Sequence, residues 1–190
     1  MNKIFVDVDT QGDFVDDNGA LAVPNAGTLR PIWKKLTMLA KDQNIPLLKT
    51  MDEHDGTEPE MLAAGGPFPP HCLEGTEGQA SIIETGTKKA IIFPKKCYDV
   101  FDKTLGNPNF AEWIAINEVT EAWVYGIAGN ICVESVVMGL LKRGIKTLVF
   151  ENAVMWMDLE QGIFCQGPDN KEQSMKRMRK AGAQFVQARL

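Results

Sequence analysis

Apolar runs alternate along the chain with segments whose apolar residues recur at helical spacing. Six runs predict buried strands: Lys3–Val8, Pro46–Met51, Lys89–Phe93, Glu121–Tyr125, Lys146–Phe150 and Gln184–Val186. Four segments predict helices: Asn25 or Thr28 to about Asp42, Pro108–Ile116, Cys132 to about Arg143, and Asp169 to Ala181. This alternation is typical of a parallel sheet covered on both faces, with right-handed crossovers. The predicted fold class is therefore α/β, with a central, mostly parallel sheet.

Two segments do not fit this alternation. The stretch from the second strand to about Ser81 is rich in Gly and Pro, and a loop of that length inside a compact domain is usually functional. The stretch Asn152–Gly167 is ambiguous. Its part Met155–Gly167, with Trp156 and Phe164, suits either a pocket wall or a contact with a partner subunit.

Size and composition fit one globular domain over residues 1–190, long enough for a full core. The net charge of −5 and the lack of a basic run argue against nucleic acid and anionic membranes as partners. No apolar run approaches the roughly 20 residues of a membrane span, and the N-terminus is charged too early for a signal peptide. Four cysteines lie far apart, which favours a reduced, cytoplasmic protein with free thiols: Cys72, Cys97, Cys132 and Cys165.

Polar residues at the ends of the predicted strands converge on one edge of the sheet. Four of them lie at or just past the carboxyl end of a strand: Asp9, Asp52, Lys95 and Cys132. In open parallel sheets, ligands bind outside the carboxyl ends of the strands. The sequence therefore predicts a site at this edge.

Cys132 occupies the first turn of a helix that follows a strand and the small-residue turn Gly126–Asn130. Unpaired amides and the positive end of the helix dipole favour a thiolate at such a position. The same amides could hold the oxyanion that forms when a carbonyl is attacked. The alternative is a packed core cysteine, since free Cys is among the most buried residue types. The polar residues at the other strand ends favour the nucleophile.

Both histidines of the chain lie in the region that follows the second strand. Asp52-x-His54 places a carboxylate and an imidazole on one face of an extended segment, and His71 lies on the long loop. This set suits Zn, Fe or Mn with open positions for water or substrate. Glu60 or Glu58 could add a carboxylate, or could be a solvated surface residue. Asp52-x-His54 alone could equally be a polar strand end.

Three other residues have two interpretations each. Asp9 is either a general base or a loop-capping aspartate. Lys95 either steadies that carboxylate or is, like Lys96, a surface lysine. Cys72 either binds metal or packs in the core, and core packing is favoured because neighbouring side chains point apart in an extended segment. A nucleotide-phosphate site is disfavoured, because Gly75–Gly78 lacks the Gly-Lys-Ser/Thr end of a phosphate loop. A Ser-His-Asp hydrolase is also disfavoured, because no Gly-x-Ser-x-Gly elbow occurs.

Five motifs, in order, resemble those of the isochorismatase-like cysteine hydrolases, and within them the nicotinamidase/pyrazinamidase branch. They are Asp9-x-Gln11-x-Asp13-Phe14, Asp52-x-His54, Pro70-His71-Cys72, Lys95-x-x-Tyr98 and Gly126-x-x-x-x-x-Cys132-Val133. The resemblance covers the chain from about Lys3 to Val186. It implies the family's three-layer α/β/α, Rossmann-like fold. Isochorismatases proper lack the metal trio, so the presence of Asp52, His54 and His71 argues against that branch.

The resemblance also implies roles for individual residues. Asp9, Lys95 and Cys132 would form a catalytic triad. The amides of Ala128 and Cys132 would form an oxyanion hole beside a cis peptide at Ile127–Ala128. Two larger sets would contact substrate and metal: Phe14, Phe68 and Tyr98 for the substrate, and Asp52, His54, His71 and Glu60 for one divalent ion, Zn first with Fe or Mn as alternatives. A homo-oligomer is implied by the resemblance alone.

The sequence departs from the family pattern in two places. Gly129-Asn130 replaces the usual Thr-Asp after the cis bond, and the loss of a carboxylate there could alter substrate choice or rate. The nicotinamidase metal loop often carries one more histidine, and Asp55–Glu60 has none.

The predicted function is that of a metal-containing cysteine amidohydrolase, which releases ammonia from a small primary amide through a thioester. Nicotinamide is the first candidate substrate. One alternative is another amidase of the superfamily, of carbamoyl-amine or maleamate type. The other is a catalytically silent binding protein of the same fold, which the Gly129-Asn130 departure motivates.

Overall fold

The computed structural model describes residues 2–157 and 171–189. Within these ranges one sheet contains six strands: β1 Asn2–Val8, β2 Leu47–Asp52, β3 Ile91–Lys95, β4 Val119–Ile127, β5 Lys146–Met155 and β6 Gln184–Val186. The helices are α1 Gly12–Val15, α2 Arg30–Asp42, α3 Pro108–Ile116, α4 Cys132–Lys142 and α5 Lys171–Ala181, with 3-10 turns at Ala26–Leu29 and Leu62–Ala64. None of the helices in the described ranges is long and apolar enough to cross a membrane.

The sheet is parallel throughout, in the order β3-β2-β1-β4-β5-β6. Helix α2 covers one face with Trp33 and Leu36, which lie three residues apart on its apolar stripe. Helices α3, α4 and α5 cover the other face, through Phe110, Val136 and Met178 respectively. These three layers confirm the predicted α/β class with a parallel sheet covered on both faces.

Strand register brings the predicted polar residues to one edge of the sheet. Val8 of β1 pairs with Thr50 of β2 and with Gly126 of β4. Asp52, the last residue of β2, pairs with Lys95, the last residue of β3. Because neighbouring parallel strands end together, the residues that follow β1 and β4 meet these two side chains.

The structure changes the predicted ends of two strands and adds a helix. Strand β3 continues through Pro94 to Lys95. Proline has no backbone N–H to donate to a neighbouring strand, and this is tolerated because β3 is an edge strand. Strand β5 continues to Met155, because its pairing with β4 shifts register and so accommodates the polar residues that end the apolar run. Helix α1 lies where the sequence predicts only a loop. The predicted cap Asp169 and the ambiguous positions 158–167 lie outside the described residues.

Gly126 of β4 lies close to the backbone of Val8 in β1. Its φ is +128°, and a Cβ at this position would overlap the carbonyl oxygen of Val8. We expect Gly126→Ala to lower the free energy of unfolding by about 2–5 kcal/mol, because backbone strain and overpacking act together. Urea denaturation of the purified variant measures this loss.

Gly144 provides the control for that substitution. Its φ is +74°, but a Cβ there would meet nothing within 4 Å. Gly144→Ala therefore introduces only the left-handed backbone penalty, about 1–2 kcal/mol. Equal losses of unfolding free energy in the two variants would show that the close approach of Gly126 to Val8 adds nothing to the cost of Gly126→Ala.

Candidate active site

Cys132 lies at the edge of the sheet where β4 passes into α4. It is the first residue of the helix and is 7% exposed. The turn before it contains a cis peptide at Ile127–Ala128, as the family resemblance implies. The amides of Ile131 and Val133 both donate to the Ala128 carbonyl, at 3.0 and 3.1 Å. These two amides are therefore occupied, and an oxyanion hole would depend on the amides of Ala128 and Cys132.

Lys95 connects the thiol to two carboxylates. Its Nζ lies 3.8 Å from Cys132 Sγ and 2.9 Å from Asp9 Oδ2, and it also forms an ion pair with Asp52. Thr50 Oγ1 donates to the other oxygen of Asp9 at 2.7 Å. The structure thus brings together the three residues of the predicted triad, with a carboxylate oxygen of Asp9 within 4.8 Å of the sulfur.

The neighbouring lysine has a different environment. Lys96 is paired with Asp55, and both side chains are nearly half exposed. Lys95 in contrast is fully buried. Of the two interpretations of Lys95, the geometry therefore favours a role in the site over an ordinary surface lysine.

Burial opposes the ionisation of two members of the triad, Cys132 and Asp9. It raises the pKa of the Cys132 thiol well above its usual value, and the opposing charge of Lys95 offsets this only in part. Burial also raises the pKa of Asp9 against the pull of Lys95. The pKa of Asp52 shifts in the opposite direction, to about 2, because the effects of Lys95 and His54 outweigh that of burial. Burial of the Cys132 thiol thus acts against the thiolate that the helix terminus is expected to favour.

A second cluster adjoins the triad through Asp52. Asp52, His54, Glu60 and His71 each offer one ligand atom, and these atoms all lie within 4.8 Å of one another. His54 Nε2 is 3.3 Å from Glu60 Oε1, and His71 Nε2 is 3.9 Å from Asp52 Oδ2. Glu58 lies outside the cluster, because its carboxylate accepts backbone N–H groups and faces the other ring nitrogen of His54 at 3.6 Å. Of the two candidate glutamates, the geometry favours Glu60.

The chemistry of this cluster fits a divalent ion. His54 is fully buried, yet neither of its ring nitrogens makes a hydrogen bond within the described part of the chain. Such an imidazole is costly to bury unless it binds something. His71 Nδ1 donates to the Pro69 carbonyl at 2.8 Å, which leaves Nε2 as a lone-pair donor towards the cluster. Two imidazole nitrogens and two carboxylates form a donor set that suits Zn, Fe or Mn.

A narrow, mostly apolar pocket reaches Cys132. Phe14, Phe68 and Tyr98, the predicted substrate contacts, all line it. Its other apolar walls are Leu21, Ile127, Ile131 and Met157, together with Ala128. Leu21 was missed by sequence reasoning, because it lies in a loop where no periodicity indicates a direction. Met157 belongs to the stretch for which a pocket wall was one of two alternatives, and it lines the pocket. The pocket therefore joins the thiol and the metal cluster to an aromatic and aliphatic cavity.

Comparison with known proteins identifies the family. Residues 3–189 match the family model of the isochorismatase domain. The chain belongs to the isochorismatase family. This confirms the predicted resemblance, and nicotinamidases and pyrazinamidases are among the similar solved structures. A search of curated proteins by sequence finds no significant match.

Three solved structures illustrate the similarity of this isochorismatase-family chain. The pyrazinamidase of Pyrococcus horikoshii in complex with zinc is 25% identical, with a TM-score of 0.85 over 98% of this chain and 99% of that one. The nicotinamidase/pyrazinamidase of Acinetobacter baumanii is also 25% identical, with a TM-score of 0.83 over 98% and 96%. The N-carbamoylsarcosine amidase of Thermoplasma acidophilum is 21% identical, with a TM-score of 0.78 over 100% and 99%, and shares the fold.

Two residues that hold the site of this isochorismatase-family chain in place had no predicted role. The Gln11 amide pairs with both backbone groups of Asp52 at 2.8 Å, and its Nε2 also donates to the Gln79 carbonyl. Asp13 accepts the Cys72 N–H at 2.7 Å, next to His71. Both residues lie in the first motif of the resemblance, which was the one available signal. Cys72 itself is fully buried and lies outside the metal cluster, in keeping with core packing.

Proposed function

We propose that this isochorismatase-family enzyme hydrolyses a small, neutral primary amide, with nicotinamide as the first candidate, to the carboxylate and ammonia. Hydrolysis of linear amide C–N bonds is the chemistry of the nicotinamidases and pyrazinamidases that it resembles. The observation that carries the proposal is the contact of Lys95 with Asp9 and Cys132 at the end of an aromatic pocket.

The proposed chemistry begins with a proton transfer. Asp9 accepts the proton of the Cys132 thiol, and the sulfur attacks the amide carbonyl carbon. The amides of Ala128 and Cys132 hold the oxyanion of the tetrahedral intermediate. Asp9 then gives its proton to the amide nitrogen, the C–N bond breaks, and ammonia leaves a thioester behind.

The second half of the cycle repeats these roles with water. Asp9 takes a proton from a water molecule, whose oxygen attacks the thioester carbonyl. The C–S bond breaks, the sulfur regains its proton from Asp9, and the carboxylic acid product loses its proton to solvent or to ammonia to give the carboxylate. Lys95 orients the Asp9 carboxylate and offsets the negative charge that develops nearby.

The metal site would be formed by Asp52, His54, Glu60 and His71. A divalent ion held there would supply a Lewis acid that orients the substrate or a water molecule beside the pocket. Asp52 belongs both to this set and to the ion pair of Lys95, so it would fix the distance between the metal site and the triad.

The lining of the pocket favours a neutral amide over the second candidate. Amidases of the carbamoyl-amine or maleamate type act on substrates that carry a carboxylate. No lysine or arginine lines the pocket within the described residues, whereas the carboxylates of Asp52 and Glu60 do. A substrate carboxylate would therefore be desolvated without a cationic side chain to pair with in the pocket wall.

Ammonia release from a panel of amides tests this proposal. We expect nicotinamide to be hydrolysed with a kcat/KM about 10²-fold or more above that of maleamate or N-carbamoylsarcosine, because the pocket wall offers no cationic side chain to a substrate carboxylate. Preference for a carboxylate-bearing amide would assign the carbamoyl-amine or maleamate type instead. No release from any amide by metal-loaded protein would support a silent binding protein.

A further inference from the structure

The side chain of Asn130 is paired with the backbone of Met157. Asn130 Nδ2 donates to the Met157 carbonyl at 3.0 Å, and the Met157 N–H donates to Asn130 Oδ1 at 3.1 Å. This pairing requires a donor and an acceptor in one side chain. An aspartate, the usual family residue here, has only acceptors when it is ionised. The Gly129-Asn130 departure therefore introduces a contact that the usual Thr-Asp pair cannot make.

Gly129 contributes to the same contact. Its N–H donates to the Met155 carbonyl at 2.7 Å. A Cβ on Gly129 would lie 2.5 Å from two ring atoms of Trp156, so the indole occupies the space that a threonine side chain would need. Both residues therefore fit the segment Met155–Met157. Gly129 leaves room for the Trp156 indole, and the Asn130 amide pairs with the backbone of Met157.

The contact matters because both of its ends are close to the nucleophile. Asn130 precedes Cys132 by two residues, in the turn between β4 and α4. Met157 lines the pocket together with Ile131, Phe68 and Cys132. The amide pairing therefore determines where the Met157 side chain lies relative to the thiol.

We infer that Asn130 is a positioning residue for substrate specificity, which holds Met157 as a pocket wall and limits the site to small amides. This inference rests on the proposed function for its substrate class but not for its geometry. The turn that leads into the nucleophile thus also carries the residue that holds Met157 in the pocket wall. A change at Asn130 should therefore alter the size of accepted ligands, whereas a general loss of structure would lower the activity on all of them alike.

A double-mutant cycle tests the inference with singly ring-methylated nicotinamides. The readout is the ratio of kcat/KM for each methylated amide to kcat/KM for nicotinamide, which does not depend on the folded fraction. For the methyl position nearest Met157, we expect Met157→Ala to raise this ratio about 10-fold, as one methyl group in an apolar pocket changes discrimination. Asn130→Ala should raise the same ratio, and the double variant should not exceed Met157→Ala.

Asn152 offers a matched control. Its amide makes the same two bonds with the backbone of Ala188, at 3.0 and 2.8 Å, and it does not line the pocket. Asn152→Ala should leave the ratio unchanged. Asn130→Asp, which restores the usual family residue, should behave like Asn130→Ala. An unchanged ratio in Asn130→Ala, with nicotinamide turnover intact or uniformly lower, would overturn the inference.

Alkylation of Cys132 tests the same geometry without turnover. The rates of labelling by iodoacetamide and by the bulkier N-ethylmaleimide are compared by mass spectrometry of the Cys132 peptide. The ratio of bulky to small reagent should rise in Asn130→Ala and Met157→Ala, and should stay at the wild-type value in Asn152→Ala. If the wild type releases no ammonia from any amide, but the labelling ratio rises in Asn130→Ala and Met157→Ala, the proposed function fails and the positioning role stands. An unchanged ratio would refute that role.

Discussion

Cys132→Ala is expected to reduce amide hydrolysis by about 10⁴-fold or more in kcat, because a thioester cannot form without the sulfur. The variant should fold, since the change removes one atom at the start of α4 and leaves its backbone amide in place. Ammonia release from nicotinamide, followed over hours, measures the residual rate. Binding of nicotinamide should survive, because the aromatic walls of the pocket are untouched.

Cys72→Ala is the matched control for this loss. Cys72 is also a buried cysteine whose pKa is raised by burial, but it lies outside the triad. We expect this variant to retain kcat within a few-fold of the wild type, at some cost in stability from the vacated space. Full turnover by Cys132→Ala would refute the covalent route and leave the metal cluster as the centre of the chemistry.

Loss of the metal site is expected to have the second large effect. Purified protein should hold one divalent ion per chain, and His54→Asn should bind it about 10²-fold or more weakly, because a buried imidazole ligand is removed. Elemental analysis gives the stoichiometry, and titration with Zn, Fe(II) and Mn(II) gives the order of affinity. An ion at about 100 times its Kd should stabilise the wild type by about 2.7 kcal/mol and should not stabilise the variant.

Asp55→Asn separates metal binding from a general change of charge in this segment. Asp55 follows His54 directly, but its side chain is exposed and is paired with Lys96. We expect this variant to bind the ion as the wild type does and to gain the same stability from it. Stabilisation of His54→Asn by the ion, equal to that of the wild type, would place the metal elsewhere.

The chemistry of the site was readable from the sequence because it depends on strand ends. A parallel sheet brings the carboxyl ends of its strands together whatever the loops do, so the positions of Asp9, Asp52, Lys95 and Cys132 followed from the order of apolar runs alone. The two histidines were assigned for a similar reason, since His54 is two residues past β2 and His71 is the only other imidazole in the chain.

The remainder of the site depends on contacts between distant segments. The pairing of Asn130 with Met157 joins two residues 27 positions apart, and no local pattern indicates it. Strand β5 had to cross the polar pair Glu151-Asn152, which only its shifted register with β4 makes possible. The pKa of the Cys132 thiol is raised by burial, which the whole fold produces and which no local pattern indicates.

The register of the sheet also separates sequence changes that alter the substrate from sequence changes that abolish the reaction. Asp52 and Lys95 are the last residues of paired strands, and Asp9 follows the end of the strand beside them, so hydrogen-bonded ladders fix their spacing. Leu21 and Phe68, in contrast, reach the pocket from connecting segments. Insertions or replacements in those segments can therefore give new substrates to an unchanged reaction, whereas a slip of one residue in β2 or β3 would end the reaction for every substrate at once.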